Sequence, residues 1–237
     1  MINSTEKTWY IFGDSIAKGI IFDEKSAKHS VCKQNFANII SEKCTVMVKN
    51  FSVFGATINK GLQMFARNAK KLINGSIAFL EFGGNDCDFV WQEVASTPQA
   101  EHLPHTPPEE FQSRYEEFIQ LLKAKNIKPI ILNLPPLDEN RYFNYFSKNL
   151  NRENLLKFLG GSARRVYQWH ESYNSLLNQI GINTGSSVID IRQAFLTKLN
   201  PERFLCLDGI HPNEKGQRLI ADKILASISR DEKSRTF

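Results

Sequence analysis

Four short clusters in this 237-residue chain hold side chains that together suit one chemistry. They are Gly13-Asp14-Ser15, Gly55 at the end of Asn50-Phe51-Ser52-Val53-Phe54-Gly55, Gly83-Gly84-Asn85-Asp86, and Asp208-Gly209-Ile210-His211-Pro212. A serine hydroxyl is a poor nucleophile until a base takes its proton. His211 can be that base. Asp208, three residues earlier on the same loop, can hold the imidazole in one tautomer and stabilise its charged form. A tetrahedral intermediate also needs donors aimed at its oxyanion. The backbone N–H groups of Ser15 and Gly55 and the side-chain amide of Asn85 are the candidates, and a glycine at 55 lets the backbone come close to a substrate. This set of groups points to acyl transfer. Asp14 and Asp86 read as braces that bind nearby backbone N–H groups.

Side chains so far apart in sequence meet only if the fold brings them to one edge. Five short apolar runs bounded by turn residues read as buried parallel strands: Thr8–Phe12, Thr45–Val53, Ser76–Phe82, Pro129–Leu134 and Ser187–Ile191. Helical stripes alternate with them. Ile58, Leu62, Phe65 and Leu72 share one face behind Thr57 as the expected N-cap. Phe111, Tyr115, Phe118 and Leu122 follow Thr106-Pro107-Pro108-Glu109, which reads as a capping box. Val166, Trp169, Tyr173 and Leu177 make a third stripe, and Leu219, Ile220, Ile224 and Ile228 a last one. The alternation predicts an α/β fold with a parallel sheet, in one domain over residues 1–237. In such sheets, ligands bind beyond the carboxyl ends of the strands, where all four clusters fall.

Two long connections, near 87–105 and 137–165, interrupt the alternation at that same end. Phe89 and Trp91 in the first and Arg141, Tyr142 and Phe143 in the second are the candidate substrate-binding residues, because sugars stack on aromatic faces and a cation suits an anionic group. The Tyr142–Phe146 cluster reads equally as packed core or as a lid. The polar stretch after Ser229 is expected to fray.

Taken in order, the four clusters resemble those of the SGNH hydrolases, also called the GDSL esterase/lipase family. Gly13-Asp14-Ser15 is similar to its first block, Gly55 to its second, Gly83-x-Asn85-Asp86 to its third and Asp208-x-x-His211-Pro212 to its last. Ile16 stands where the family name expects leucine. The resemblance implies a three-layer α/β/α sandwich with a flavodoxin-like five-stranded parallel sheet. It also implies Ser15 as nucleophile, His211 as base, Asp208 as orienting carboxylate, and Ser15, Gly55 and Asn85 as oxyanion donors. The expected activity is hydrolysis of small-molecule esters with a short acyl group, an acetyl group on a carbohydrate being the best match. A lysophospholipase or thioesterase is the enzymatic alternative, and a ligand-binding module without chemistry the non-enzymatic one.

Composition narrows the field further. Thirty Lys and Arg against 25 Asp and Glu leave a net charge of +5, but the basic residues are scattered rather than striped, so no nucleic-acid partner is expected. No apolar run approaches the roughly 20 residues that span a bilayer. Met1–Lys7 is polar and lacks an export pattern, and Cys32, Cys44, Cys87 and Cys206 show no C-x-x-C spacing, so reduced thiols and a cytoplasmic location are expected. His102 and His105 have no third partner for a metal, and neither metal nor organic cofactor is expected. Glu81, within the third strand, is expected to be satisfied by an ion pair.

Overall fold

The computed structural model describes residues 8–23, 25–44 and 46–234, with side chains up to residue 230. Met1–Lys7 and Thr45 lie outside the described residues. In chain order, β1 (Thr8–Gly13), the one-turn helix α1 (Ser15–Lys18), β2 (Ile20–Asp23), β3 (Lys28–Val31), α2 (Phe36–Cys44) and β4 (Met47–Asn50) come first. Then follow α3 (Ile58–Asn68), β5 (Ile77–Glu81), α4 (Trp91–Ser96), α5 (Pro108–Ala124) and β6 (Lys128–Leu132). The remainder holds α6 (Glu139–Phe146), α7 (Arg152–Phe158), α8 (Arg164–Thr184), β7 (Ser187–Ile189), α9 (Ile191–Leu196) and α10 (Glu214–Ser234).

Five parallel strands form the central sheet in the order β4-β1-β5-β6-β7. Counted along the chain within that sheet, this is the flavodoxin-like order, with its switch point between β1 and β5. Alternation along the strands sorts the core. Tyr10, Phe12, Ala78, Leu80 and Ile131 face one side, where α3, α5 and α8 pack with Phe65, Phe118 and Leu177. Trp9, Ile11, Phe79, Ile130 and Leu132 face the other, against Phe36, Phe195 and Ile220 of α2, α9 and α10. With both faces covered, the strands read as continuous apolar runs, which is why they are visible in the sequence.

The two long connections are helical. α4, α6, α7 and the start of α8 join in a third cluster of Phe89, Trp91, Val94, Tyr142, Phe143, Leu155 and Val166. The Tyr142–Phe143 pair is therefore buried in a small core of its own. Two elements lie where the alternation predicts none: α2, and the antiparallel hairpin β2–β3, which forms a separate two-stranded sheet.

Local details depart from expectation in two places. Thr57 occupies the N-cap of α3 without a side-chain hydrogen bond, and Asp86 Oδ1 accepts from Ile58 N instead, at 3.0 Å. α5 begins at Pro108 with no side-chain cap, so Thr106 does not form a capping box. A proline at the first helical position has no N–H to be capped. α10 runs to Ser234.

Candidate active site

The site lies at the carboxyl ends of β1 and β5, beside the switch point. Gly13 closes β1 where a Cβ would come within 2.5 Å of Ala17 Cβ and 2.7 Å of the Glu81 carbonyl oxygen, so a side chain would push α1 off the sheet. Asp14 is the N-cap of α1, its Oδ1 accepting from Ile16 N at 2.8 Å. That leaves Ser15 as the first helical residue, with its hydroxyl available for another partner.

The partner arrives from the loop before α10. An antiparallel bridge between Leu205 and Pro212 and a hydrogen bond from Cys206 N to His211 O at 2.8 Å pinch this loop closed. Inside it, Asp208 Oδ1 accepts from Ile210 N at 3.2 Å and His211 N at 3.1 Å. Its other oxygen, Oδ2, lies 2.6 Å from His211 Nδ1, and His211 Nε2 lies 2.9 Å from Ser15 Oγ. Because a carboxylate accepts, Nδ1 carries the proton and Nε2 presents a lone pair to the serine. Burial by itself would push Asp208 up, but the hydrogen bond and charge of His211, with the two backbone N–H groups, hold it below the ordinary carboxylate value. All three side chains are buried: Ser15 is 6% exposed, Asp208 0% and His211 3%.

The three expected oxyanion donors are placed differently. Asn85 shares the cleft with Ser15 and His211. Its Nδ2 donates to Asp14 Oδ2 at 2.9 Å and to the Ala56 carbonyl at 3.2 Å, so both amide hydrogens already have acceptors. Gly55 sits in the left-handed region at φ 69° with nothing within 4 Å of the Cβ position, next to Phe54, whose ring stacks 6.1 Å from that of His211. Any other residue would strain that turn. The Ser15 and Gly55 N–H groups have no acceptor among the described residues.

Beneath the serine is a buried carboxyl pair. Glu81, 0% exposed, faces Asp14 and accepts from Ala17 N at 3.2 Å. No cation reaches it among the described residues, so the expected ion pair is replaced by an acid–carboxylate pair. Burial and the charge of Asp14 push Glu81 well above the ordinary value, and burial raises Asp14 as well, so the pair favours holding a proton. Asp86 is likewise pushed up to about 7 by burial, although Ile58 N binds it.

Ser15 opens into a cleft of about 620 Å³, open mouth included, walled by Trp91, Leu137, Tyr142, Val166, Trp169 and Ile210, with Asp88 and His170 as polar members. Tyr142 OH donates to Asp88 Oδ2 at 2.5 Å and Trp91 Nε1 to Asp88 Oδ1 at 2.8 Å. Of the five substrate-binding candidates, Trp91 and Tyr142 line this cleft. Phe89 packs behind it on Trp169, at 4.7 Å between centroids. Phe143 lies under the Arg152 guanidinium, and Arg141 donates to the Glu202 carbonyl and pairs with Asp138. Cys87 also lines the cleft, but burial and the neighbouring Asp88 and Asp86 push its thiol well up, which disfavours a thiolate.

Sequence reasoning does not single out three residues that the structure brings here. Trp169 and His170 sit on the apolar stripe of α8, where an aromatic reads as core. Burial lowers His170 to about 3, so it stands neutral in the cleft wall. His29, on the hairpin, places Nε2 3.3 Å from Asp208 Oδ2.

Donor atoms of His29, Asp208 and His211 lie within 4.8 Å of one another, a closeness their hydrogen bonds to one another already explain. His102 and His105 each bind a backbone carbonyl, of Thr97 and of Asn85, at 2.9 Å. Among the described residues no helix is long and apolar enough to cross a membrane.

Comparison with known proteins adds a second line. A family model described as GDSL-like lipase/acylhydrolase matches residues 10–224. The chain is 22% identical over 240 residues to the GDSL esterase/lipase CPRD49 of Arabidopsis thaliana, covering 98% of this chain and 82% of the relative. A lipase/acylhydrolase from Enterococcus faecalis is similar in structure, with TM-score 0.64, 20% identity, and coverage of 94% of this chain and 95% of that one. So is the acetyl xylan esterase AlAXEase, with TM-score 0.63, 20% identity, and coverage of 93% and 99%. At such identities the structural likeness speaks for the fold.

Proposed function

Because the chain belongs to the GDSL-like lipase/acylhydrolase family and is an enzyme acting on ester bonds, we propose that Ser15 is its nucleophile, His211 its base and Asp208 the carboxylate that orients the base. The observation that carries this reading is the relay of 2.9 Å and 2.6 Å contacts from Ser15 through His211 to Asp208. Ser15 Oγ attacks the acyl carbonyl carbon while His211 Nε2 takes its proton. The resulting imidazolium is stabilised by Asp208, which stays ionised throughout. The oxyanion is met by the N–H groups of Ser15 and Gly55 and by Asn85 Nδ2, whose longer hydrogen bond, to Ala56, is the one that yields. His211 then protonates the leaving alkoxide. Water, activated by the same histidine, attacks the acyl-enzyme and releases the acid.

The substrate we propose is a short acyl ester, an acetyl group on a carbohydrate. A cleft that mixes the aromatic rings of Trp91, Tyr142 and Trp169 with the polar Asp88 and His170 suits a ring that is apolar on its faces and hydroxylated on its edges. The activity named for the acetyl xylan esterase of similar fold supports the same class.

Hydrolysis of p-nitrophenyl esters from acetyl to octanoyl, by the wild type and by Ser15→Ala, tests this. Serine-dependent turnover that falls with chain length is expected, followed by release of acetate from acetylated xylo-oligosaccharides. Turnover that rises with chain length would move the substrate to lysophospholipids or thioesters. Full turnover by Ser15→Ala would overturn the mechanism.

A further inference from the structure

The β2–β3 hairpin takes no part in the steps above, yet it carries an imidazole to the oxygen that orients His211. His29 Nε2 lies 3.3 Å from Asp208 Oδ2, which His211 Nδ1 approaches at 2.6 Å. An ionised carboxylate only accepts, so His29 Nε2 is the donor. The other oxygen of Asp208 is already committed to two backbone N–H groups of its own loop.

The placement of His29 is built rather than incidental. Its ring packs against Phe22 at 5.1 Å, Phe54 at 5.3 Å and Tyr145 at 6.1 Å between centroids. Those rings come from three separate segments: the hairpin, the turn before Gly55 and α6. Phe22, opposite His29 across the hairpin, also donates its N–H to Cys206 Sγ at 3.4 Å, which fastens the hairpin to the loop that carries Asp208. His29 itself does not line the cleft, and its ring meets that of His211 edge-on at 5.0 Å.

We propose that His29 is a positioning residue for ester hydrolysis: its Nε2–H holds Asp208 Oδ2 in line with His211 Nδ1 while His211 carries the serine proton. The inference rests on the assignment of Ser15, His211 and Asp208 above. A carboxylate anchored only through Oδ1 can still pivot and swing Oδ2 out of line with the imidazole. A second donor, from an element distant in sequence, removes that pivot. The benefit appears when His211 becomes charged, so it belongs to kcat and not to KM.

The test compares His29→Phe, His29→Gln and Ser15→Ala with wild type, on p-nitrophenyl acetate, with thermal melts to establish folding. Phe keeps the ring packing and removes the donor. Gln places an amide N–H near the position of Nε2. The expected result is a fall in kcat of about tenfold for Phe with KM unchanged, the size of one hydrogen bond to a charged group, and recovery of most of it by Gln. His29→Leu makes the same comparison if the Phe variant does not fold. Wild-type kcat in the Phe or Leu variant overturns the proposal, as does a folded Gln variant no better than Phe, or a change in KM alone. Those outcomes leave the mechanism standing if Ser15→Ala is inactive. Turnover by Ser15→Ala would remove the mechanism itself.

Discussion

The two sides of the cleft around Ser15 are held by different forces. On the sheet side, Asp14, Glu81, Asp86, Asp208 and His211 are buried polar groups, and backbone N–H groups fix the orientation of all but His211, which Asp208 holds. On the insertion side, Trp91, Tyr142 and Trp169 are held mainly by ring packing, as in the stack of Trp91 on Phe146 at 4.1 Å, with Asp88 as a polar anchor shared by Trp91 and Tyr142. A hydrogen-bonded group loses its function when it moves by a fraction of an ångström. A packed ring can be exchanged for another of similar volume at modest cost. The proposed chemistry thus sits on the rigid side and the proposed substrate fit on the side that can be repacked.

Substitutions should separate the two sides. Ser15→Ala is expected to reduce kcat/KM by roughly 10⁴ or more with an unchanged melting temperature, since a whole covalent route is lost. A large drop in melting temperature would show that this serine holds the fold. Asn85→Ala should lower kcat by about 10²–10³; an unchanged rate would remove it from the oxyanion site and leave it as a brace for Asp14. On the other side, Leu155→Ala, at a fully buried position of the third cluster, should cost about 2–5 kcal/mol in denaturant unfolding. Its folded fraction should keep turnover on p-nitrophenyl acetate. Loss of turnover without loss of stability would mean that the insertions act on the chemistry directly.

A pH experiment probes the buried acids. Asp86 is raised from 3.8 to about 7 by burial, so between those values the folded state keeps a proton that the unfolded chain has released. That contribution to stability is complete below the lower value and disappears as pH rises through the upper one, at up to about 1.4 kcal/mol per pH unit. Asp86→Asn keeps an acceptor for Ile58 N and should flatten this slope in urea titrations run across that range. Parallel slopes for variant and wild type would show that Asp86 does not carry the proton. The smallest change expected is for Tyr142→Phe, which removes the donor to Asp88. It should cost ~1 kcal/mol of stability and alter the ranking of ester substrates, and a uniform loss across them would contradict a role in fit.

Legibility in the sequence follows the range of the forces. The strands announce themselves because both faces of the sheet are buried, and a short apolar run between turn residues has few other fates. The four clusters are legible because each is shaped locally: Asp14 caps its own helix, and Asp208 binds the N–H groups of the next residues in its loop. The partner of Glu81 is not legible in the sequence, because burial beside Asp14 favours a protonated acid over an ion pair and burial depends on the whole fold. Trp169 and His170 were hidden because a helix stripe does not say which of its members faces an opening.

Residue types and order therefore determined the α/β alternation, the parallel sheet and the reactive groups gathered at one edge of it. Tertiary structure alone decided the rest: that the two insertions share a core and wall the cleft, and that the hairpin brings His29 to Asp208 across 179 residues of chain. Local backbone geometry is set by neighbours a few residues away and can be read along the chain. A contact of that span exists only after the sheet has closed the distance, because the entropy of holding distant segments together is recovered through packing of the whole core.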